Sequence, residues 1–227
     1  GAVTARNNII FNFPKYQFVS SSTSLTFEHN TLYQANTNLS TSAALLYLDK
    51  DFVDGVCRNN ILFNGADKNQ SPDNYGIYDD SGNSAKLKSN NNLFWMPNGA
   101  HLGFTKGSAV SDLKNWSTSF GEEKSLNMDP LFVSVVGEAE DFHLTSLSPA
   151  LEAGTYVLGL DIDGDLRDQK YPDIGADEFY DFSPDGGSFS YAPGEAQLPS
   201  GGCGALGVEG LLLAFLLGRG RRLFRRL

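Results

Sequence analysis

The sequence predicts an all-β chain built as a parallel solenoid, and three observations carry that reading. One pattern, an Asn followed by a short apolar and aromatic run, recurs as Asn8-Ile-Ile-Phe11, Asn30-Thr-Leu-Tyr33, Asn60-Ile-Leu-Phe63 and Asn92-Leu-Phe-Trp95. Self-similarity of this kind marks a repeat architecture. Further strand-like runs lie between the repeats, Leu25-Thr-Phe27, Ala44-Leu-Leu-Tyr-Leu48 and Tyr75-Gly-Ile-Tyr78, separated by Asn, Asp, Ser and Gly clusters of the type that make turns. No stretch of residues 1–110 keeps a helical period. Short strands at fixed phase, two or three per repeat, are what a parallel β-solenoid requires. Asn-Asn turns between antiparallel strands are the competing reading, and the shared Asn-apolar-apolar-aromatic phase argues against it.

The coils are expected over residues 1–105. A sharp corner needs a residue near the left-handed region, which Asn tolerates well. Coils stack about 4.8 Å apart, so Asn8, Asn30, Asn60 and Asn92 at one corner can bond amide to amide as a ladder. The repeat starts lie 22, 30 and 32 residues apart. The two longer coils therefore carry insertions, for which residues 36–42 and 67–73 are the candidates, and such loops form the binding surface in this architecture.

Residues 106–180 are expected to cap and close the solenoid. Ser111-Asp-Leu-Lys-Asn-Trp-Ser-Thr-Ser-Phe120 starts like a helix at Ser111, with Leu113, Trp116 and Phe120 on one face. A covering helix would blunt an otherwise exposed strand edge. A series of short motifs follows: Asp129-Pro-Leu-Phe132, Asp141-Phe-His-Leu144, Ser148-Pro-Ala-Leu-Glu-Ala-Gly154, Asp161-Ile-Asp-Gly-Asp-Leu-Arg167 and Asp173-Ile-Gly-Ala-Asp-Glu178. In these, Gly154 is available for a positive φ, and Arg167 is expected to pair with Asp173 or Glu178.

The Asn-led coils resemble the right-handed parallel β-helix of the pectin-lyase-like fold. The ordered motifs of the closing block resemble the end of the choice-of-anchor Q domain proteins, bacterial surface β-helix proteins whose C-termini carry varied anchors. That resemblance implies a sorting tag after the closing block.

A Gly/Ser/Pro linker is expected over 181–200, and residues 201–227 have the order of such a tag: Gly201-Gly202-Cys203, a short apolar run expected to be helical, then Arg219, Arg221, Arg222, Arg225 and Arg226. It resembles the C-terminal sorting signals of the MYXO-CTERM and GlyGly-CTERM kind, in which a membrane protease processes a small-residue motif. Gly201, Gly202 and Cys203 would then be the processing or lipidation point. The 16 residues from Cys203 to Gly218 span roughly 24 Å, short of a bilayer core of about 30 Å. Glu209 inside the run would cost about 2–3 kcal/mol in lipid. A simple tail anchor and an interfacial amphipathic helix are the other two readings. All three place the chain at a membrane, and the positive-inside rule puts everything before Cys203 outside, exported to the cell surface or outer membrane. The N-terminus, Gly1-Ala-Val-Thr-Ala-Arg, shows no signal peptide, so an exported chain implies that residue 1 lies inside a longer protein.

Charge agrees with that address. Five of the 17 basic residues and one of the 27 acidic ones lie in residues 201–227, which leaves a net −14 on residues 1–200 and +4 on the tail. So acidic a body is a poor nucleic-acid binder. The partners expected are a polysaccharide, the membrane and a sorting protease. The two cysteines, Cys57 and Cys203, offer no disulfide framework, and Cys57 reads as a small buried apolar residue.

Candidate chemistry is sparse. Asp79 and Asp80 are the best adjacent acidic pair, yet neighbouring strand residues point to opposite faces, so both would serve glycoside hydrolysis only at a bend; otherwise they are solvated turn residues. Asp161, Asp163 and Asp165 around Gly164 have the look of a calcium loop, but Leu166 and Pro172 stand where an EF-hand needs Gly and Glu, and a structural turn is the stronger reading. No other cofactor is expected. His29 is placed on an outer strand face and His143 in a structural hydrogen bond. Tyr33, Tyr47, Tyr78 and Trp95 could stack on sugars or serve as packing. Two functions follow: a carbohydrate-interacting display or adhesion scaffold with no chemistry in these residues, or a polysaccharide lyase or glycoside hydrolase whose catalytic coils lie upstream of residue 1.

Overall fold

A corner that repeats in every coil organises this chain. The computed structural model describes residues 1–35, 42–120, 124–135 and 140–180. Strands β1 (Ala2–Arg6), β2 (Ile9–Phe11) and β3 (Tyr16–Ser20) form the first rung, and β4 (Ser24–Glu28), β5 (Thr31–Gln34) and β6 (Ala43–Leu48) the second. The third holds β7 (Asp54–Arg58), β8 (Ile61–Asn64) and β9 (Asn74–Asp79), and the fourth β10 (Leu87–Asn90), β11 (Leu93–Trp95) and β12 (His101–Thr105). All pairings between rungs are parallel, giving sheet A (β1-β4-β7-β10), sheet B (β2-β5-β8-β11) and sheet C (β3-β6-β9-β12). The chain is a β-solenoid that passes from β1 to β10 in about three turns.

The A-to-B corner is an asparagine ladder. Asn8 Nδ2 donates to Asn30 Oδ1 at 2.8 Å, Asn30 Nδ2 to Asn60 Oδ1 at 3.0 Å, and Asn60 Nδ2 to Asn92 Oδ1 at 2.9 Å. The same three oxygens also accept the backbone N–H of Asn8, Asn30 and Asn60, at 3.1, 3.0 and 3.0 Å. Asn30, Asn60 and Asn92 are fully buried. The left-handed residue is not the ladder Asn, as the sequence suggested, but the one before it. Asn7, His29, Asn59 and Asn91 have φ of 53°, 52°, 56° and 50°. Each corner thus uses two residues, one to turn the backbone and one to bind the next rung.

The added length of the later coils falls between strands. The third rung carries residues 65–73 between β8 and β9, where Asp67 caps a turn by accepting from Asn69 N at 2.9 Å. It carries a second excursion between β9 and β10, containing a short 3₁₀ turn, Ser84–Lys86. In the second rung the expected loop lies between β5 and β6, and its residues 36–41 are outside the described ones.

Inside, equivalent residues stack. Leu32, Leu62 and Phe94 share one register position, and Phe18, Leu46, Ile77 and Gly103 another. Gly103 breaks its column because helix α1 (Leu113–Phe120) drives Trp116 into that place, and a Cβ there would lie 2.7 Å from the indole. Trp116 and Phe120 complete the core, the indole meeting Phe94 edge-on at 4.7 Å. Asp112, rather than Ser111, caps the helix, accepting from Asn115 N at 2.8 Å. Ser111 instead bonds His101 Nδ1 at 2.7 Å. A short β13 (Ser108–Val110) pairs antiparallel with β12, and β14 (Leu126–Asn127) adds a fifth strand to sheet B. Ser125 stands at that fifth corner and takes the backbone N–H of Asn92 at 2.8 Å, ending the ladder.

The closing block packs on the outside. Hairpin β15 (Phe132–Ser134) and β16 (Asp141–Leu144) lays Phe142 over Phe11 and Tyr33, at 5.4 and 5.1 Å. Ala150 and Ile174 join Ile61, Leu93 and Leu144 in a second apolar cluster. Gly154 has no positive φ; it is needed because a Cβ would meet Pro172 O at 2.6 Å. Among the described residues no helix is long and apolar enough to cross a membrane. The linker 181–200 and the tail 201–227, with Gly201, Gly202 and Cys203, lie outside the described residues.

Removing the amide at a buried rung strands several polar groups at once, at about 1–3 kcal/mol each. Asn60→Ala is therefore expected to lower the urea-unfolding free energy by about 3–5 kcal/mol. Asn8→Ala, at the half-exposed end with one rung partner, is expected to lose about 1 kcal/mol. Equal losses at the two positions would count against a ladder that is driest in its middle.

Candidate functional site

Parallel stacking makes columns on the outer faces as well. On sheet B, Phe11, Tyr33, Phe63 and Trp95 share one register position. The β15–β16 hairpin covers this column, and Tyr33 is buried against Phe63 and Phe142. Tyr33 and Trp95, two of the four aromatics singled out from the sequence, are packing residues. On sheet C the column is Val19, Tyr47, Tyr78 and Phe104, with Tyr16, Ala44, Tyr75 and His101 in a second one.

Tyr16, Tyr47, Tyr78 and Phe104 join into one half-buried aromatic strip, with Tyr75 buried beside it. Tyr16 stacks on Tyr47 with ring centroids 4.4 Å apart, Tyr47 on Tyr78 at 5.4 Å, and Tyr78 on Phe104 at 4.6 Å, the last pair only 8° from parallel. Tyr75 meets Tyr78 and Phe104 edge-on and stacks with His101 at 5.6 Å. Lys15 Nζ sits 4.9 Å from the Tyr16 ring centre. A recess of about 320 Å³ is lined by Lys15, Tyr16, Ser42, Tyr47 and Tyr78. The sequence signal was there in Tyr47 and Tyr78; Tyr16 and Phe104 were missed because β3 and β12 lack the Asn that announces the sheet B strands.

Carboxylates border the strip. Tyr47 Oη donates to Asp80 Oδ2 at 2.9 Å and Tyr75 Oη to Asp73 Oδ1 at 3.4 Å. Burial, reinforced by these acids, raises both phenols, Tyr75 to about 12. Asp79 and Asp80 do not form a pair. Asp79 is buried, not a solvated turn residue: its oxygens accept from Ser84 N and Thr105 Oγ1, both at 2.8 Å, and from Ser81, fixing the second excursion of the third rung. Asp80 belongs to the outer face with Tyr47.

The Asp161, Asp163 and Asp165 carboxylates also separate. Asp161 is buried and caps a turn, accepting from Asp163 N at 3.0 Å, Asp165 N at 2.8 Å and Glu178 N at 3.2 Å. Asp163 turns away to His143, whose Nε2 lies 2.7 Å from its Oδ2, while His143 Nδ1 bonds Asp141. Burial opposes charge on this imidazole, but the two carboxylates outweigh it and raise it to about 9. Arg167 pairs with Glu178 at 3.2 Å, and its other head-group nitrogen reaches Gly175 O, Ala176 O and Asn7 Oδ1. Asp173 takes Glu152 N and Phe179 N instead, and burial pushes it up to about 7.

No family model, no curated protein and no solved structure matches this chain.

One corner residue departs from the pattern with a titratable consequence. His29, buried and left-handed where the other corners hold Asn, contacts Asn59 Nδ2 through Nε2 at 2.8 Å rather than facing out from a strand. Burial lowers it to about 3, with Arg167, Arg58 and Arg6 adding to the effect. An unfolded histidine titrates near 6.5. Between these values the unfolded chain binds more protons, so the stability contributed by neutral His29 is complete above about pH 6.5 and is lost as pH falls toward 3, at up to about 1.4 kcal/mol per unit. His29→Asn is expected to leave the melting temperature at pH 7.5 nearly unchanged and to raise it at pH 5. Parallel curves of melting temperature against pH for the two proteins would show that His29 does not set the acid limit.

Proposed function

We propose that this chain is the solenoid end of a surface-displayed protein whose sheet C face binds a polysaccharide. The strip from Tyr16 through Tyr47 and Tyr78 to Phe104 carries the proposal. The rings stack on one another, so what they offer a sugar is a continuous row of apolar ring edges on a rigid sheet, at little entropic cost. Asp73 and Asp80 at its border can accept hydrogen bonds from sugar hydroxyls, and their charge disfavours an acidic glycan. The strip runs across the rungs, so a linear polymer lying along the solenoid would meet one ring after another.

Display is supported by sequence order. The Asn-led coils and the closing motifs resemble right-handed β-helix proteins of the choice-of-anchor kind, and the Gly-Gly-Cys, apolar and arginine-rich sequence of 201–227 suits a sorting tag or anchor at a bacterial surface.

Affinity electrophoresis through gels containing a neutral glucan, a galactomannan or polygalacturonate tests this reading. Retardation by a neutral polymer is expected, and the double variant Tyr47→Ala/Tyr78→Ala is expected to weaken it at least tenfold, about 1.4 kcal/mol, with an unchanged circular dichroism spectrum. Retardation only by polygalacturonate, or retardation that the double variant leaves intact, would sink the assignment to this strip.

A further inference from the structure

Three segments of the closing block bring one imidazole and two carboxylates to a single point. His143 comes from β16, Asp163 from the turn that Asp161 caps, and Asp177 from the segment carrying Arg167's partner Glu178. One ligand atom from each lies within 4.8 Å of the other two. They line a cavity of about 220 Å³ with Asp165, Glu178 and Tyr180.

Asp177 is the informative member. It is 5% exposed, and its Oδ2 accepts from Leu144 N at 2.8 Å. Asp177 also belongs to the cavity lining. A carboxylate buried this deeply is stable when it meets a cation, a role that the His143 imidazolium facing it fills until a metal ion replaces the proton. Arg167 does not fill that role: its guanidinium bonds Glu178 and main-chain carbonyls, including Asp177 O, but not the Asp177 side chain.

His143 is oriented as a metal-binding histidine is. Its Nδ1 is held by Asp141, so a donated Nδ1–H fixes the ring with Nε2 toward Asp163. A carboxylate on the far nitrogen is the usual support for an imidazole ligand. We infer that His143 Nε2, Asp163 and Asp177 form a site for a first-row divalent cation of the zinc class. Imidazole with two carboxylates suits Zn²⁺, and three protein ligands leave a fourth position for water. Calcium, which takes six to eight oxygens, is not the ion for this donor set. On binding, Nε2 exchanges its proton for the metal, and the ion ties hairpin β15–β16 to the two segments beneath it. The site is separate from the sheet C strip, and neither assignment rests on the other.

Isothermal titration of the full chain with Zn²⁺ at pH 7.5 is expected to show one site with a micromolar or tighter dissociation constant. Millimolar Ca²⁺ should not compete. At a hundredfold excess over that constant the melting temperature should rise by roughly 5–10 °C. His143→Ala and Asp163→Asn should each weaken binding at least tenfold. Asp163 is exposed, so its variant keeps the test informative if the His143 variant folds poorly. Co²⁺ should give visible absorption bands that Asp163→Asn removes. Absence of a stoichiometric Zn²⁺ site, Zn²⁺ binding indifferent to both substitutions, or a Ca²⁺ site that depends on Asp163 but not on His143 would each overturn the assignment.

Discussion

A coil that turns a sharp corner must satisfy the backbone groups it exposes there, and the next coil must do so at the same place. The amides of Asn8, Asn30, Asn60 and Asn92 meet that demand: the buried oxygens of Asn30, Asn60 and Asn92 each take two donors from the rung before. Because the same side chain serves backbone and ladder, a one-residue slip would break two bonds per rung and turn every inward side chain outward. The ladder therefore fixes the register, and the register creates the columns. The Leu32-Leu62-Phe94 core, the Phe11-Tyr33-Phe63-Trp95 column under the hairpin and the open strip on sheet C all follow from it.

The turning residue beside each ladder Asn has a second task. Asn59 exchanges hydrogen bonds with Thr155, donating to its carbonyl at 2.7 Å and accepting its N–H at 2.9 Å. Asn91 donates to Ala153 O at 2.8 Å, and Asn7 meets both Leu160 O and Arg167. The outer corner is thus a row of amides that receives the closing segment as another strand edge would. Arg167 reaches from that segment to the first rung, a contact between residues 160 positions apart. Contacts so distant in sequence carry a large loop-closure cost, so the coils are expected to form before the closing segment docks.

The sequence announced the rungs because one residue type, Asn, does one task four times. It announced an ion pair of Arg167 with Asp173 or Glu178, since an Arg among so many acids needs a partner, but not that Glu178 is the one. It did not announce the fifth corner, where Ser125 offers a hydroxyl in place of an amide, nor the left-handed residue one step before each ladder Asn. Asn-Asn at three corners hid that division of labour, and His29 at the fourth looked like a surface strand residue when it is buried. Asp79 was misjudged for a related reason. Its neighbour Asp80 made the pair look solvated, whereas the pleat sends one inward to Ser84 and Thr105 and the other outward to Tyr47. The convergence of His143, Asp163 and Asp177 was beyond any spacing rule, since three segments meet only after the block has folded back.

The two outer faces show how the same repeat can be stabilised or put to use. On sheet B the hairpin buries Tyr33 to 5% exposure and leaves Phe11 at the open end 43% exposed. Sheet C carries as many rings, yet those of Tyr47 and Tyr75 end in a phenol bonded to a carboxylate, so the strip stays wet at its border and apolar across its middle. The row of Tyr16, Tyr47, Tyr78 and Phe104 is half-buried, with no hairpin laid across it. The strands set the spacing of its rings and the ladder sets the strands. Its geometry is therefore held by the core, and the polymer proposed to bind there would meet a surface already formed, with little ordering left to oppose association.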